Sequence, residues 1–201
     1  MKKIAINIGH SVTDWGAEDG LNPAQGDTRY TRETFDNGLL AGVLIRSLWE
    51  NVVFDVKLFQ QQGPEKLQVH IDRIKQWSPD YVISLHRNCV SSSKATGWSV
   101  WYHGKNTGSK SIAYVFAENL RAVPNIWGDT AGDVRSDFEI YPPNPTEGKL
   151  GGFGILRAFP DTGILFEGGF ISNPKDEVWY DDVTILVFIA RAMKLSFEKI
   201  M

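Results

Sequence analysis

Two histidines and two glutamates of this 201-residue chain stand where side chains can do chemistry. His10 directly follows the run Lys3 to Ile8, and His86 directly follows Asp80 to Leu85. Both runs are short, rich in β-branched residues and nearly continuously apolar, the pattern of strands covered on both faces. Ligands of open α/β sheets bind at strand ends, so two histidines placed there can converge on one site. Glu33 opens a stretch of helical spacing, and Glu167 follows Gly163-Ile164-Leu165-Phe166, which puts it at the end of, or within, a buried strand. An unpaired buried carboxylate is costly, so Glu167 calls for a charged neighbour or a metal. Two histidines and one glutamate are a ligand set of catalytic zinc, in which a fourth position is left to water, and either carboxylate could complete it.

The elements that must position these groups are legible from spacing. Glu33 to Glu50 places Phe35, Leu39, Leu40, Val43, Leu44 and Leu48 at helical intervals, with Thr31 available as N-cap. Asn51 to Phe59 alternates like a strand, and Glu65 to Trp77 returns to helical spacing through Leu67, Ile71 and Ile74. Gly97 to His103 alternates with period two, Trp98, Val100 and Tyr102 on one side and Ser99, Trp101 and His103 on the other. Ser109 to Leu120 predicts a helix. The Pro, Gly, Asn and Asp density from Ala122 to Gly152 predicts a long functional loop. Phe153 to Phe159 and Gly163 to Phe170 read as two strands, and Asn173-Pro174 starts a final helix running to about Lys199. This alternation predicts an α/β fold of three layers, α/β/α: a twisted, mostly parallel mixed sheet with helices on both faces, in a single domain over residues 1–201.

Composition narrows the function classes. A hydrophobic fraction of 42% and a charged fraction of 22% are those of a folded globular chain. A formal charge of -3 supplies no broad basic face, which argues against nucleic-acid partners. Ile4 to Ile8 is broken by Asn7 and ends at Gly9-His10, a strand rather than a signal peptide, and no apolar run approaches the roughly 20 residues of a membrane span. Cys89 is the single cysteine, so no intramolecular disulfide can form. Large apolar residues are more often core than ligand platform, and the seven Trp are read that way first.

Several segments then resemble the type 3 group of zinc N-acetylmuramoyl-L-alanine amidases. Gly9-His10 followed by Asp14-Trp15-Gly16-Ala17 is similar to that family's opening motif. Glu33-Thr34-Phe35-Asp36-Asn37 resembles its metal-ligand glutamate with an asparagine one turn later. Ser84-Leu85-His86-Arg87-Asn88 resembles its Ser-Ile-His-Ala-Asn segment, and Phe153 to Arg157 and Leu165 to Asn173 its closing strands. The resemblance spans essentially the whole chain, with three departures: Gly-His-Ser for Gly-His-Gly, Arg87 for a small residue, and a longer stretch between His10 and Glu33, in which Glu18 is a competing ligand. It implies one zinc ion on His10, Glu33 and His86, with Glu167 as the catalytic acid–base, and hydrolysis of the peptidoglycan amide joining the lactyl group of N-acetylmuramic acid to L-alanine. It also implies a partner, peptidoglycan, and a place of action at the cell wall. A chain starting at the catalytic region suits a phage or prophage lysin made in the cytoplasm, an endolysin reaching the wall by a separate lysis route.

Other residues carry weaker signals. Asn88, Arg157 and Trp101 are expected to meet substrate. His70, among Leu67, Ile71 and Ile74, is expected to border a helix face without a role, and His103 to be structural. Cys89, three residues after His86, invites a Cys/His hydrolase reading that would leave Glu33 and Glu167 unexplained, so a small buried hydrophobe is expected instead. The rivals to the amidase are a carboxypeptidase-like zinc hydrolase of stem peptides and an inactive wall-binding module.

Overall fold

A computed structural model of the protein describes residues 1–11, 33–50, 53–63, 65–92, 94–105, 107–123 and 132–201. Asp14 to Ala17, Glu18 and the Thr31 cap lie outside the described residues. Six strands form one sheet: β1 (Lys2–Ser11), β2 (Phe54–Gln61), β3 (Tyr81–Asn88), β4 (Ser99–Tyr102), β5 (Asp133–Ser136) and β6 (Gly163–Phe170), in the order β2-β1-β3-β6-β4-β5. The four strands from β2 to β6 run parallel, whereas β4 is antiparallel to β6 and parallel to β5. The mixed, mostly parallel sheet is therefore as expected.

Strand alternation sorts the core into two layers. Ile4, Ile6, Ile8, Ile83, Leu85, Val100, Ile164 and Phe166 face one side. There they meet α1 (Glu33–Trp49), α3 (Thr107–Arg121), α5 (Pro174–Asp181) and α6 (Val183–Lys199). Leu40, Leu44 and Leu48 recur every fourth residue on α1 and are fully buried, while Phe35 and Leu39 remain exposed. On the other side Ala5, Phe59, Val82, Trp101 and Leu165 pack on α2 (Leu67–Trp77) and α4 (Gly154–Ala158). Helices thus cover both faces, the first far more thickly.

Three expectations change. Phe153 to Phe159 is not a strand: Gly154–Ala158 is helical, and Ile155, Leu156 and Phe159 pack against the α2 face. Spacings of one and four residues suit one side of a helix, and a short apolar run does not by its pattern separate that from a buried strand. The final helix is two helices, because the Asp182 side chain accepts from the Thr184 N–H at 2.8 Å and caps a new start eight residues after Pro174. Among its described residues, the stretch from Ala122 to Gly152 also holds an edge strand, β5, and two 3-10 turns.

Candidate metal centre

The parallel strands β1 and β3 end side by side, Ile8 opposite Leu85, so the residues that follow each end are neighbours. Beyond Ile8 the pairing with β2 slips, and His10 takes φ 63°. A non-glycine residue rarely occupies this left-handed region, at a cost of about 1–2 kcal/mol, and such irregularities re-aim side chains near sites. Gly9 allows the approach: a Cβ there would collide with the His86 imidazole. The two rings lie edge to face with centroids 5.3 Å apart.

Glu33 reaches both rings from the first turn of α1. Its Oε1 lies 2.9 Å from His86 Nδ1 and its Oε2 3.3 Å from His10 Nε2. The Arg87 backbone N–H also donates to Oε1, at 3.1 Å. One donor atom from each of His10, Glu33 and His86 falls within 4.8 Å of the others, a spacing one ion can span. The carboxylate side chain is 3% exposed, whereas His10 and His86 keep 32% and 20%, so the cluster is anchored on one side and open on the other.

Glu167 lies within β6, opposite His86 in the β3 register and opposite Ser99 of β4. Its Oε2 is buried without a hydrogen-bond partner. Burial pushes its carboxyl up to about 7, with His86 opposing that rise and Glu33 adding to it. Burial works against a charged His86, but the hydrogen bond it donates to Glu33 and the nearness of Glu167 hold its pKa above the ordinary value. Two carboxylates and two imidazoles crowded together, one carboxylate oxygen without a partner, are what a divalent cation would neutralise, so the residues fit the implied metal.

The other expected residues fall elsewhere. Trp101 is 1% exposed and packs edge to face on Phe153, a core residue and not a platform for substrate. Arg157 is exposed, but its Nη1 donates to the carbonyls of Gly151 and Gly152, which ties it to a cleft of about 720 Å³ whose walls include none of His10, Glu33, His86 and Glu167. Asn88 is half-buried beside Phe170, and its carbonyl accepts from the Ile171 N–H at 2.8 Å. His103 is buried, its Nδ1 3.2 Å from Asp137 Oδ2, in a structural role. Cys89 is exposed rather than buried in the core, and partial desolvation of its thiol, followed by the field of Glu33, raises its pKa, the reverse of an activated nucleophile.

Sequence reading missed two polar arrangements beneath the centre. His70 is 2% exposed and linked, not a bordering residue: Arg73 Nη2 donates to its Nδ1 at 3.0 Å, and its Nε2 lies 2.6 Å from Asn7 Oδ1. Asn7 Nδ2 in turn donates to Ser84 Oγ at 2.8 Å. The available signal was a polar residue inside each apolar run, Asn7 three residues before His10 and Ser84 two before His86. The second arrangement is the buried pair of Arg87 and Asp36, on the other side of the sheet.

The family model described as N-acetylmuramoyl-L-alanine amidase matches residues 4–198. A germination-specific N-acetylmuramoyl-L-alanine amidase of Bacillus subtilis (strain 168) is 23% identical over 120 residues, 60% of this chain and 44% of that protein, so the match spans under half of the relative's length. Among solved structures, the catalytic domain of CwlV, an N-acetylmuramoyl-L-alanine amidase from Bacillus (Paenibacillus) polymyxa var. colistinus, superposes with a TM-score of 0.77 at 21% identity, over 99% of this chain and 97% of that one. An N-acetylmuramoyl-L-alanine amidase from Clostridium difficile 630 gives 0.77 at 20% identity, over 98% and 95%. These likenesses establish a shared fold, and the family match, whose range includes His10, Glu33, His86 and Glu167, establishes kinship: the chain belongs to the N-acetylmuramoyl-L-alanine amidase family.

Proposed function

We propose that the protein is a zinc-dependent N-acetylmuramoyl-L-alanine amidase that hydrolyses the amide between the lactyl group of N-acetylmuramic acid and L-alanine in peptidoglycan. The observation that carries this reading is the meeting of His10, Glu33 and His86 within 4.8 Å, with Glu167 in register beside His86. The family match supports the bond class. None of the described helices is long and apolar enough to cross a membrane, which agrees with a substrate outside the bilayer.

Each residue has a part. His10, Glu33 and His86 would hold the zinc, which when bound supplies Lewis acidity toward water and an amide carbonyl. Glu167, with a carboxyl poised near 7, accepts a proton from the attacking water and returns it to the departing L-alanine nitrogen as the C–N bond breaks. Burial of Glu167 raises its proton affinity, which suits the uptake of a proton from water. Asn88, two residues after His86 at the end of β3, is the expected substrate contact that shares a strand with the centre.

Product analysis of digested cell walls tests the assignment. The expected result is stem peptides with new L-alanine amino termini, abolished by chelation and restored by zinc. Release of single C-terminal residues would instead identify a carboxypeptidase, and walls bound without any cleavage would identify a binding module.

A further inference from the structure

Arg87 follows His86 on β3, and alternation turns its side chain to the α1 side of the sheet, where it is 0% exposed. Three contacts define its place. Nη1 donates to Asp36 Oδ2, the guanidinium carbon lies 4.4 Å from the centre of the Tyr180 ring, and the backbone N–H donates to Glu33 Oε1 at 3.1 Å. Asp36 stands one turn after Glu33 in α1. Arg87 therefore grips both carboxylates of the turn that presents Glu33, one through its side chain and one through its backbone. Tyr180, on α5, sits against Gly168, the neighbour of Glu167.

Stability alone is a poor account of this arrangement. A buried ion pair often contributes no more than apolar residues of the same volume, and here Arg87 Nε and Nη2 are buried without partners. What an arginine supplies that apolar side chains do not is direction: a planar fork, stacked on a ring, that fixes a carboxylate's orientation.

We propose that Arg87 is a positioning residue, which through Asp36 and the first turn of α1 sets the Glu33 carboxylate to bridge His10 and His86. It touches neither ion nor substrate. The inference rests on the metal reading given above, and it makes the departure from a small residue at this position a tuning element of the ion site.

Metal affinity separates positioning from simple charge neutralisation. Metal-free wild type, Arg87→Lys and the double variant Arg87→Leu with Asp36→Leu are titrated with cobalt(II), followed by its visible absorption, and with zinc against a chromophoric chelator; thermal midpoints are recorded alongside. The double variant removes both charges of the buried pair together, so that neither is left behind in the core. Expected is binding weaker by about 10–100-fold in both variants, the range for residues that orient metal ligands, with an altered cobalt spectrum. Either folded variant binding as wild type does, with an unchanged spectrum, overturns the inference alone. A wild-type protein that takes up neither ion overturns the metal reading together with it.

Discussion

The two sides of the sheet bury polar groups next to the same histidine in different ways. On the α1 side, Arg87 and Asp36 form an ion pair with two guanidinium nitrogens left unpartnered. On the α2 side, His70, Asn7 and Ser84 form an uncharged chain whose links are 2.6 and 2.8 Å long, met at its outer end by the Arg73 guanidinium, which is itself paired with Glu65. Along β3 the two arrangements sit one residue after and two residues before His86. The charged one adjoins Glu33 directly, whereas the neutral one lies a layer beneath the ends of β1 and β3, where Asn7 pairs Ser84 in register. Their difference teaches that fixing a strand register needs only satisfied hydrogen bonds, while aiming a carboxylate calls for a charge held in a set direction.

Substitutions that separate chemistry from support give the largest effects. Glu167→Gln is expected to lower wall hydrolysis by about 10²–10⁴-fold, the usual contribution of a positioned acid–base, with the thermal midpoint not lowered, since a buried carboxylate is replaced by a neutral amide. A lysis assay on purified walls beside a melting curve checks both halves.

Breaking the charged arrangement comes next. Arg87→Leu removes the cation paired with the buried Asp36, so unfolding in urea should show a loss of about 3–5 kcal/mol, most of it recovered when Asp36→Leu is added. Equal losses in the single and the double variant would show that the pair is not what holds this side.

The neutral chain should respond more mildly. Ser84→Ala removes the acceptor of Asn7 Nδ2 and is expected to cost about 1–3 kcal/mol in the same urea experiment. A cost as large as that of Arg87→Leu would erase the contrast between the two sides.

The smallest effect is one of pH. Burial, and then the charge of Arg73, hold the pKa of His70 below its ordinary 6.5, against the pull of Glu65. The unfolded chain therefore takes up the His70 proton first as pH falls. The contribution of His70 to stability is complete above pH 6.5 and is lost as pH falls below it toward the depressed native value. Urea midpoints at stepped pH should fall less steeply on acidification for His70→Gln than for wild type, and parallel profiles would refute the neutral state assigned to this imidazole.

Much of this architecture is written in local pattern. β1, β3 and β6 are covered on both faces and read as apolar runs, and α1 shows its buried stripe of Leu40, Leu44 and Leu48. His10, Glu33, His86 and Glu167 were legible because each adjoins, or interrupts, such a run. The strand expected over Phe153 to Phe159 is instead the helix Gly154–Ala158, because so short a run carries too little periodicity to separate helix from strand. The break at Asp182 was hidden because its capping role appears only once the Thr184 N–H is seen to need an acceptor. Asn7, the partner of His70 Nε2, and Asp36, the partner of Arg87, lie 63 and 51 residues away, so nothing local announces those two contacts. Trp101 misled because alternation gives the face a side chain points to, not whether α4 covers that face.

Metal content is the most direct test of the central claim that three side chains share one divalent ion while a fourth moves the proton. Elemental analysis of zinc-equilibrated, dialysed protein should find about one zinc per chain in wild type and in Glu167→Gln, and almost none in His86→Ala or Glu33→Ala. Zinc retained at full occupancy in both of the latter variants, or absent from wild type, would contradict the account.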